Sequence, residues 1–218
     1  MEGSVAKPQR RPDAERTRQD IMRVARVEFA EHGLSGGRVD AIAANTQTTK
    51  RMIYYYFGSK EGLYLAVLED EYARIRGREV GLDLQRISPV EALRRMVEES
   101  IDHHEESPEF VRLVCIENIH HGRYLKESQT IQGLNVSVID ALADIVARGR
   151  AEGVFTRDVE VIDLHMLISA VSFYRVGNRH TFGTLFGLDL GAEEVRARHK
   201  KLLTDAVFGV LGVRDTAI

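Results

Sequence analysis

The 218-residue chain has little of several features on which particular classes of protein depend. It has a single cysteine, Cys115, which excludes an intrachain disulfide framework and favours a reducing compartment. Its polar N-terminus, MEGSVAKPQRRPD, is followed by no apolar signal segment, so we expect no export signal. Because no apolar run approaches membrane-spanning length, we expect a soluble, cytoplasmic protein with no membrane partner.

Signatures of enzyme chemistry are absent too. The sequence contains no glycine-rich phosphate loop, no nucleophile elbow and no Cys/His pair in a recognisable catalytic context. We therefore expect neither an enzyme nor a bound cofactor. Val/Ile alternation is scarce and there is no Asn-Gly hairpin signal, whereas apolar residues recur at helical spacing. This pattern predicts an all-α fold without a sheet.

The charge of the chain is distributed unevenly. Residues 1–60 hold eleven Lys and Arg against seven Asp and Glu, a net charge of +4, and since the whole chain carries −3 the remainder carries −7. A cationic head on an anionic body would dock one end of the protein on a polyanion and hold the other end away. The charge distribution therefore favours nucleic acid as a partner of the N-terminal part.

The stretch from 38 to 63 reads RVDAIAANTQTTKRMIYYYFGSKEGL and is the most informative in the chain. A short apolar helix is followed by a polar break at 45–48 and then by a second short helix that begins with Thr49, Lys50 and Arg51. Two short helices joined by a tight turn, the second with cationic residues at its start, predict a helix-turn-helix that reads double-stranded DNA.

The residue types at the start of the second helix suit base recognition. Lys50 and Arg51 can donate to guanine, and the three tyrosines offer rings to thymine methyls and hydroxyls to phosphates. Ser59 is a candidate N-cap of the next helix, where Lys60 and free amides would hold a phosphate. The predicted DNA-binding residues are Arg38, Thr48, Thr49, Lys50, Arg51, Tyr54, Tyr55, Tyr56 and Lys60.

The run IAANTQTTKRMIYYYFGSKEGL resembles the signature of the tetracycline-repressor (TetR) family, which is usually near I-A-x-x-A-G-V-S-x-G-T-L-Y-x-x-F-x-S-K-E-x-L. The resemblance implies a three-helix helix-turn-helix DNA-binding domain ahead of a larger helical ligand-binding and dimerisation domain. It also implies a ligand-responsive regulator, more often a repressor, that a small organic effector releases from a near-palindromic operator. Thr46-Gln47 replaces the usual Ala-Gly of the turn, so we expect a strained or altered turn there.

The chain is divided by composition into three parts. Residues 1–12 are polar and basic with two prolines and are predicted to be a disordered arm, in which Lys7, Arg10 and Arg11 could reach DNA. The DNA-binding domain is assigned to 13–59 and the helical body to 60–218. Long helices are predicted over about 13–32, 60–76, 89–106, 108–121, 159–179 and 192–211, with a further helix that ends near Gly153 and a loop over 180–191.

Local signals predict the ends and buried faces of several of these helices. The first should bury Ile21, Val24, Ala25 and Phe29 on one face and end at Gly33. The helix that begins at Pro89 should be capped by Ser88, since proline is tolerated in the first helical position. In the second short helix, Ile53 and Phe57 are four residues apart and should face inward.

Two broad apolar stripes in the last long helices predict a homodimer interface, although ordinary intrachain core would give the same pattern. The predicted interface residues are Leu164, Leu167, Ile168, Val171, Arg175, Leu203, Val207 and Val210. Polar groups interleaved with apolar positions in the body are candidates to orient an effector, although surface polarity or satisfied core hydrogen bonds would account for each. The predicted ligand-binding residues are His103, Asn118, His121, Tyr124, Tyr174 and Asn178.

Two other functions fit parts of the sequence. Glu117-x-x-His120 and the pair Glu99 and His103 have spacings found in carboxylate–histidine metal sites, which would indicate a helical metalloprotein. Against this, the motif occurs once rather than twice, and we expect no metal. A DNA reader without a sensor, which would bind many scattered sites as a nucleoid organiser, is the second alternative.

Overall fold

The computed structural model describes residues 10–213, apart from the side chains of residues 10–13 and 79–80. Within this range it is helical, with an isolated β-bridge between Phe155 and Val213 as the one β-pairing. The α-helices are α1 (Arg10–Gly36), α2 (Val39–Ala44), α3 (Lys50–Phe57), α4 (Lys60–Val80), α5 (Pro89–Glu106), α6 (Pro108–Ile119), α7 (Gln129–Ala151), α8 (Val161–Gly177), α9 (Arg179–Phe186) and α10 (Glu193–Leu211), with 3-10 turns at Leu84–Arg86 and Leu125–Glu127.

The chain divides into two compact units, residues 1–70 and 71–218. The predicted arm falls outside the described residues up to position 9, and residues 10–12 begin α1. Helix α4 contains the junction between the units, whereas the sequence analysis drew the domain boundary at its first residue.

The first unit is built on the apolar face predicted for α1. Ile21, Ala25 and Phe29 are fully buried, and the ring of Phe29 meets that of Tyr64 on α4 edge-on, with centroids 5.3 Å apart. Gly33 has φ 65° and ψ 179°, which takes the backbone out of the helical path near the predicted end of the helix. The buried face of α1 thereby forms the support on which the short helices pack.

Side-chain caps define the starts of several helices. The Thr49 hydroxyl accepts from the Met52 amide at the start of α3, and the Ser59 hydroxyl accepts from the Gly62 amide at the start of α4. Ser88 does the same for α5 through the Glu91 amide. The predicted caps at Ser59 and Ser88 are confirmed, since each satisfies an amide that has no partner within its helix.

The turn between α2 and α3 is not strained, contrary to expectation. Within residues 10–213 the non-glycine residues with positive φ are Asp83 and His121, neither of which lies in this turn. The Thr46 hydroxyl donates to the carbonyls of Ile42 and Ala43, and the Asn45 amide donates to that of Ala41. Side chains thus satisfy the last carbonyls of α2, and a left-handed glycine is not required there.

The second unit packs around α5. Apolar residues of α5, α7, α8 and α10 share one core, in which Leu93, Ile101, Leu142 and Val207 are fully buried. Helix α7 has the length and mean hydropathy of a membrane-spanning helix, so the expectation that no segment approaches that length is wrong. One such helix is weak evidence of a membrane span, because core helices also meet this criterion.

The segment 180–191 was predicted to be a loop, and the structure corrects this for its first seven residues. Helix α9 ends at Phe186, after which Gly187 adopts φ 65°. Phe182 and Phe186, four residues apart, stack with ring centroids 4.6 Å apart, and Phe182 also meets Tyr174 of α8 at 6.0 Å. These aromatic contacts favour the helix despite the glycine within it.

A buried ion pair joins distant parts of the second unit. Arg175 of α8 is 2% exposed and donates to the Glu105 carboxylate of α5 and to the Leu190 carbonyl, each at 2.7 Å. Arg179 also pairs with Glu105, and His199 of α10 contacts the Arg175 guanidinium. One guanidinium therefore ties together α5, α8, α10 and the segment after α9.

Two glycines of α7 provide a matched test of how closely the Phe155 ring packs against that helix. A Cβ on Gly149 would lie 2.1 Å from the Phe155 ring, whereas a Cβ on Gly133 would meet nothing within 4 Å. We expect Gly149→Ala to lower the free energy of unfolding by about 1–3 kcal/mol through overpacking. Gly133→Ala should raise it by up to about 1 kcal/mol because alanine favours the helix. Urea unfolding measures both, and equal effects would contradict the close approach at Gly149.

Candidate functional site

Helix α3 exposes the residues predicted to contact DNA. Ile53 is its buried residue and holds the helix on the first unit, which leaves Lys50, Arg51, Tyr54 and Tyr55 on the exposed side. Tyr55 is 77% exposed, and so large an exposed ring is typical of a surface that binds another molecule. The exposed face of α3 thus combines donors and rings in the arrangement expected of a recognition helix.

The remaining predicted DNA contacts surround α3. Thr49 and Arg38 are exposed, whereas Thr48, Tyr56 and Lys60 are half-buried. The Lys60 ammonium lies 3.4 Å from the Ser35 carbonyl. Lys50 forms an ion pair with Asp40 of α2, so its charge is partly compensated before any DNA arrives.

A polar concavity between α1 and the turn was missed by the sequence analysis. It is lined by Arg16, Thr17, Asp20 and Arg23 of α1 together with residues 44–48. Arg16 and Arg23 are seven residues apart on the exposed side of α1, a spacing that could have indicated a second basic surface beside the recognition helix. In the structure Arg23 is bonded to Asp20 at 2.7 Å.

The second unit contains a cavity of about 660 Å³ between the C-terminal half of α4 and helices α5 to α8. This volume lies within the range of sites for small organic molecules. Its walls combine apolar and aromatic side chains with a few polar ones. The lining residues include Tyr72, Ile75, Arg76, Met96, Glu99, Ser100, His103, His104, Phe110, Val114, Asn118, Asn135, Leu142, Asp163, His165, Met166, Ser169 and Phe173.

Three histidines line this cavity, and burial lowers the pKa of each. The pKa of His103 falls to about 3, mainly through desolvation, with smaller effects of His104 and nearby arginines. Desolvation is also the main reason why the pKa values of His104 and His165 are lowered. All three imidazoles are therefore neutral at pH 7 and can serve as hydrogen-bond donors or acceptors rather than as charges.

Of the six predicted ligand-binding residues, His103 and Asn118 line the cavity. His121, Tyr124, Tyr174 and Asn178 are not among its lining residues. His121 is exposed in a left-handed turn with φ 59°, and Asn178 caps the C-terminus of α8. His104, His165, Phe110 and Phe173 also line the cavity and were not among the predicted residues. On α8 the spacing of His165, Ser169 and Phe173, four residues apart, could have indicated one shared face.

Glu117 of the alternative metal site is engaged by the backbone. The Glu117 carboxylate accepts hydrogen bonds from the amides of Tyr124 and Leu125, at 3.1 and 3.3 Å, and so holds the turn after α6. His120 is exposed. Among residues 10–213 no group of three or more His, Cys, Asp or Glu side chains could hold a metal ion. The lone Cys115 is half-buried, and burial raises the pKa of its thiol.

Most of the predicted interface residues pack within a single chain. Leu164, Ile168, Leu203 and Val207 are buried in the core of the second unit, together with the ion-paired Arg175, while Leu167 and Val171 are partly buried against it. Val210 is 37% exposed. Other large apolar residues of α8 and α10, and two of α9, are exposed. On these three helices the exposed large apolar residues are Ile162, Met166, Tyr174, Leu185, Phe186, Leu202 and Val210.

The sequence is similar to those of bacterial regulators. Residues 21–67 match the family described as "Bacterial regulatory proteins, tetR family", and residues 89–207 match "Tetracyclin repressor-like, C-terminal domain". The chain is 34% identical over 196 residues to the HTH-type transcriptional repressor NicS of Pseudomonas putida, which is 90% of this chain and 92% of NicS. It is 31% identical over 167 residues to the repressor SCO4008 of Streptomyces coelicolor, 75% of this chain and 80% of that repressor.

Solved structures share the fold. The regulator SCO4942 of Streptomyces coelicolor aligns with a TM-score of 0.67 at 24% identity, covering 91% of this chain and 99% of that one. FadR of Bacillus subtilis, solved in complex with stearoyl-CoA, aligns with a TM-score of 0.63 at 18% identity, covering 85% and 97%. At these identities the similarity concerns the fold alone, an N-terminal helix-turn-helix followed by a larger helical domain.

The lowered pKa of His103 predicts a specific loss of stability in acid. The imidazole of His103 binds a proton near pH 6.5 in the unfolded chain and near pH 3 in the folded chain. The stability associated with the neutral imidazole is therefore fully present above pH 6.5 and is lost as pH falls toward 3. By pH 5 the loss from this residue is about 2 kcal/mol. In urea unfolding, His103→Phe should lose less stability than the wild type between pH 7.5 and 5, and exposed His180→Phe should match the wild type. Parallel pH curves for wild type and His103→Phe would contradict this assignment.

Proposed function

The chain belongs to the tetR family of bacterial regulatory proteins, and from this membership we propose that it is a ligand-responsive transcriptional repressor. In this proposal it binds a near-palindromic operator as a homodimer and is released by a small organic effector. The observation that carries the proposal is the occurrence, in one chain, of an exposed cationic recognition helix and a 660 Å³ cavity. The names of the related repressors NicS and SCO4008 support repression rather than activation.

The first unit supports the DNA-binding part. Arg51 and Tyr54 stand exposed on α3, where they would reach base edges in a major groove, while Lys60 lies at the start of α4, where a phosphate would be held. Lys50 would exchange its bond to Asp40 for a contact with DNA, so its net gain would be smaller than that of Arg51. Arg16 and Arg23 lie beside the turn before α3, where they would reach phosphates of the DNA that flanks the recognised bases.

The second unit supports the sensing part. The cavity has the size and the mixed lining of an organic ligand site, and the related fold of Bacillus subtilis FadR holds stearoyl-CoA. Tyr72, Ile75 and Arg76 of α4 line the cavity, and the same helix begins at Lys60, directly after the recognition helix. An effector that binds one position of α4 more tightly than another would shift the population of DNA-binding states.

The exposed apolar residues support the homodimer part of the proposal. Five of the twelve large apolar side chains exposed within residues 10–213 lie on α8, α9 and α10 outside the cavity lining, and such residues favour an interaction surface. Helices α8 and α10 pack together, so they can present one continuous face to a second copy. A twofold dimer places two recognition helices about 34–36 Å apart, one turn of DNA, and two linked heads gain affinity that a single head lacks.

Selection of binding sites from random duplex DNA at moderate salt tests the function, and we expect two half-sites related by a dyad. On the selected site, Arg51→Ala should weaken binding by about 1–3 kcal/mol and relax base preference at one position of each half-site. Lys60→Ala should weaken all sequences alike and reduce the salt slope by about one charge per head. Fluorescence anisotropy on matched and mismatched duplexes measures these effects. Retention of DNA without sequence preference would indicate a nucleoid organiser instead.

The dimer surface predicts the effect of a charge on α10. Leu202 is 62% exposed, and in the proposed interface Leu202→Glu would replace an apolar side chain of each copy with a carboxylate. We expect a dimer for the wild type and a monomer for this variant in sedimentation at micromolar concentration. Ile119→Glu, at a residue of α6 that is 72% exposed, is the matched control and should stay dimeric. A monomeric wild type would refute the proposed interface.

A further inference from the structure

The cavity contains a buried polar side chain that the protein itself does not satisfy. His103 is 4% exposed, and neither of its ring nitrogens has a hydrogen-bond partner. A buried polar group without a partner lowers stability, and the great majority of such groups in proteins are satisfied. A bound molecule that offers one hydrogen bond to this imidazole would remove that penalty. His103 is therefore the position at which this cavity distinguishes a polar ligand group from an apolar one.

The surroundings of His103 are aromatic. The ring of Phe110 lies 5.9 Å from that of His103 and meets Tyr72 edge-on at 5.2 Å, both measured between centroids. Phe173 of α8 meets the ring of His104 at 6.3 Å, also measured between centroids. Rings presented from α4, α5, α6 and α8 favour contacts with the faces and edges of another ring. The apolar part of a matching ligand is thus expected to be planar rather than a flexible chain.

The charges of the cavity favour neither an anion nor a cation. Its formally charged lining residues are one cation, Arg76, and two acids, Glu99 and Asp163. Arg76 donates to the Asn135 side chain at 3.1 Å, and Glu99 lies 3.7 Å from Arg78. No excess of positive charge is left for a carboxylate. A cation would face the same desolvation, and the same field from Arg76, that keep the three imidazoles neutral.

From these three observations we propose that the effector is an uncharged, largely aromatic molecule with a hydroxyl or carbonyl group that forms a hydrogen bond with His103. This inference rests on the proposed sensing function of the cavity and specifies the chemistry of its ligand. A neutral imidazole has one donor and one acceptor, so it can pair with a phenol or alcohol through its acceptor, or with a carbonyl through its donor. The remainder of the ligand is held by Phe110, Phe173 and Tyr72.

Four probes that share one skeleton test the proposal. Biphenyl, 4-phenylphenol, biphenyl-4-carboxylate and 4-phenylbenzylamine differ only in the group at one end, which is absent, neutral, anionic or cationic at pH 7.5. Isothermal titration into the full-length protein without DNA gives each affinity. We expect 4-phenylphenol to bind about tenfold more tightly than biphenyl, as one net hydrogen bond allows, and both ions to bind more weakly than 4-phenylphenol.

Two substitutions assign the preference to His103. His103→Phe keeps a ring of similar size without the nitrogens, so it should abolish the preference for 4-phenylphenol over biphenyl. His103→Gln keeps a donor and an acceptor and should retain part of it. Thermal unfolding confirms that each variant is folded. Tightest binding of the carboxylate or the amine, binding of none of the probes, or a preference unchanged in His103→Phe would each overturn the proposal.

The outcome is independent of DNA recognition. Operator binding is measured separately by anisotropy, so a protein that binds 4-phenylphenol through His103 but recognises no operator would refute the repressor function and leave the ligand chemistry intact. Conversely, an operator-binding protein that prefers an ionic probe would keep its function as a repressor and lose this assignment.

Discussion

The buried guanidinium of Arg175 is the interaction on which the architecture of the second unit depends. It is bonded to Glu105 of α5 and to the Leu190 carbonyl, and it contacts His199 of α10. Burial of such a pair gains little over apolar packing, but removal of one partner leaves a buried charge and costs about 3–5 kcal/mol. The pair therefore opposes any shift of α8 along α5 that would separate the two charges.

The position of α8 relative to α5 sets the distance between two walls of the cavity. Glu105 lies two residues after His103 on α5, and Arg175 lies two residues after Phe173 on α8, so the ion pair sits beside residues of both walls. The hydroxyls of Ser100 and Ser172, 3.0 Å apart, connect the same two helices one turn earlier. The α4 residues Tyr72, Ile75 and Arg76 complete the lining. A ligand in the cavity therefore contacts α4 together with α5 and α8, and it shifts the population of states only as far as it binds one of them more tightly.

The sequence predicted those features that depend on neighbouring residues. The start of α5 at Pro89 with its Ser88 cap, the break near Gly33 and the buried Ile53 of α3 follow from capping and periodicity. Features that depend on distant partners were missed. Arg175 was assigned to a dimer interface because its partner Glu105 is 70 residues away. Helix α9 was predicted to be a loop because Gly183, Gly187 and Gly191 are visible in the sequence, whereas the contact of Phe182 with Tyr174 is not.

DNA binding and effector binding differ in the contacts of the free protein that each must replace. In the first unit Lys50 is already paired with Asp40, so DNA has to replace that contact. In the second unit His103 has no partner to give up, so a ligand gains the full value of its hydrogen bond. The size of that gain does not decide whether DNA is released or retained, because an effector shifts the equilibrium only by its difference in affinity between the DNA-binding state and the other state. Release, the behaviour expected of a repressor that an effector inactivates, requires the effector to bind more tightly to the state in which the two recognition helices no longer fit the operator together.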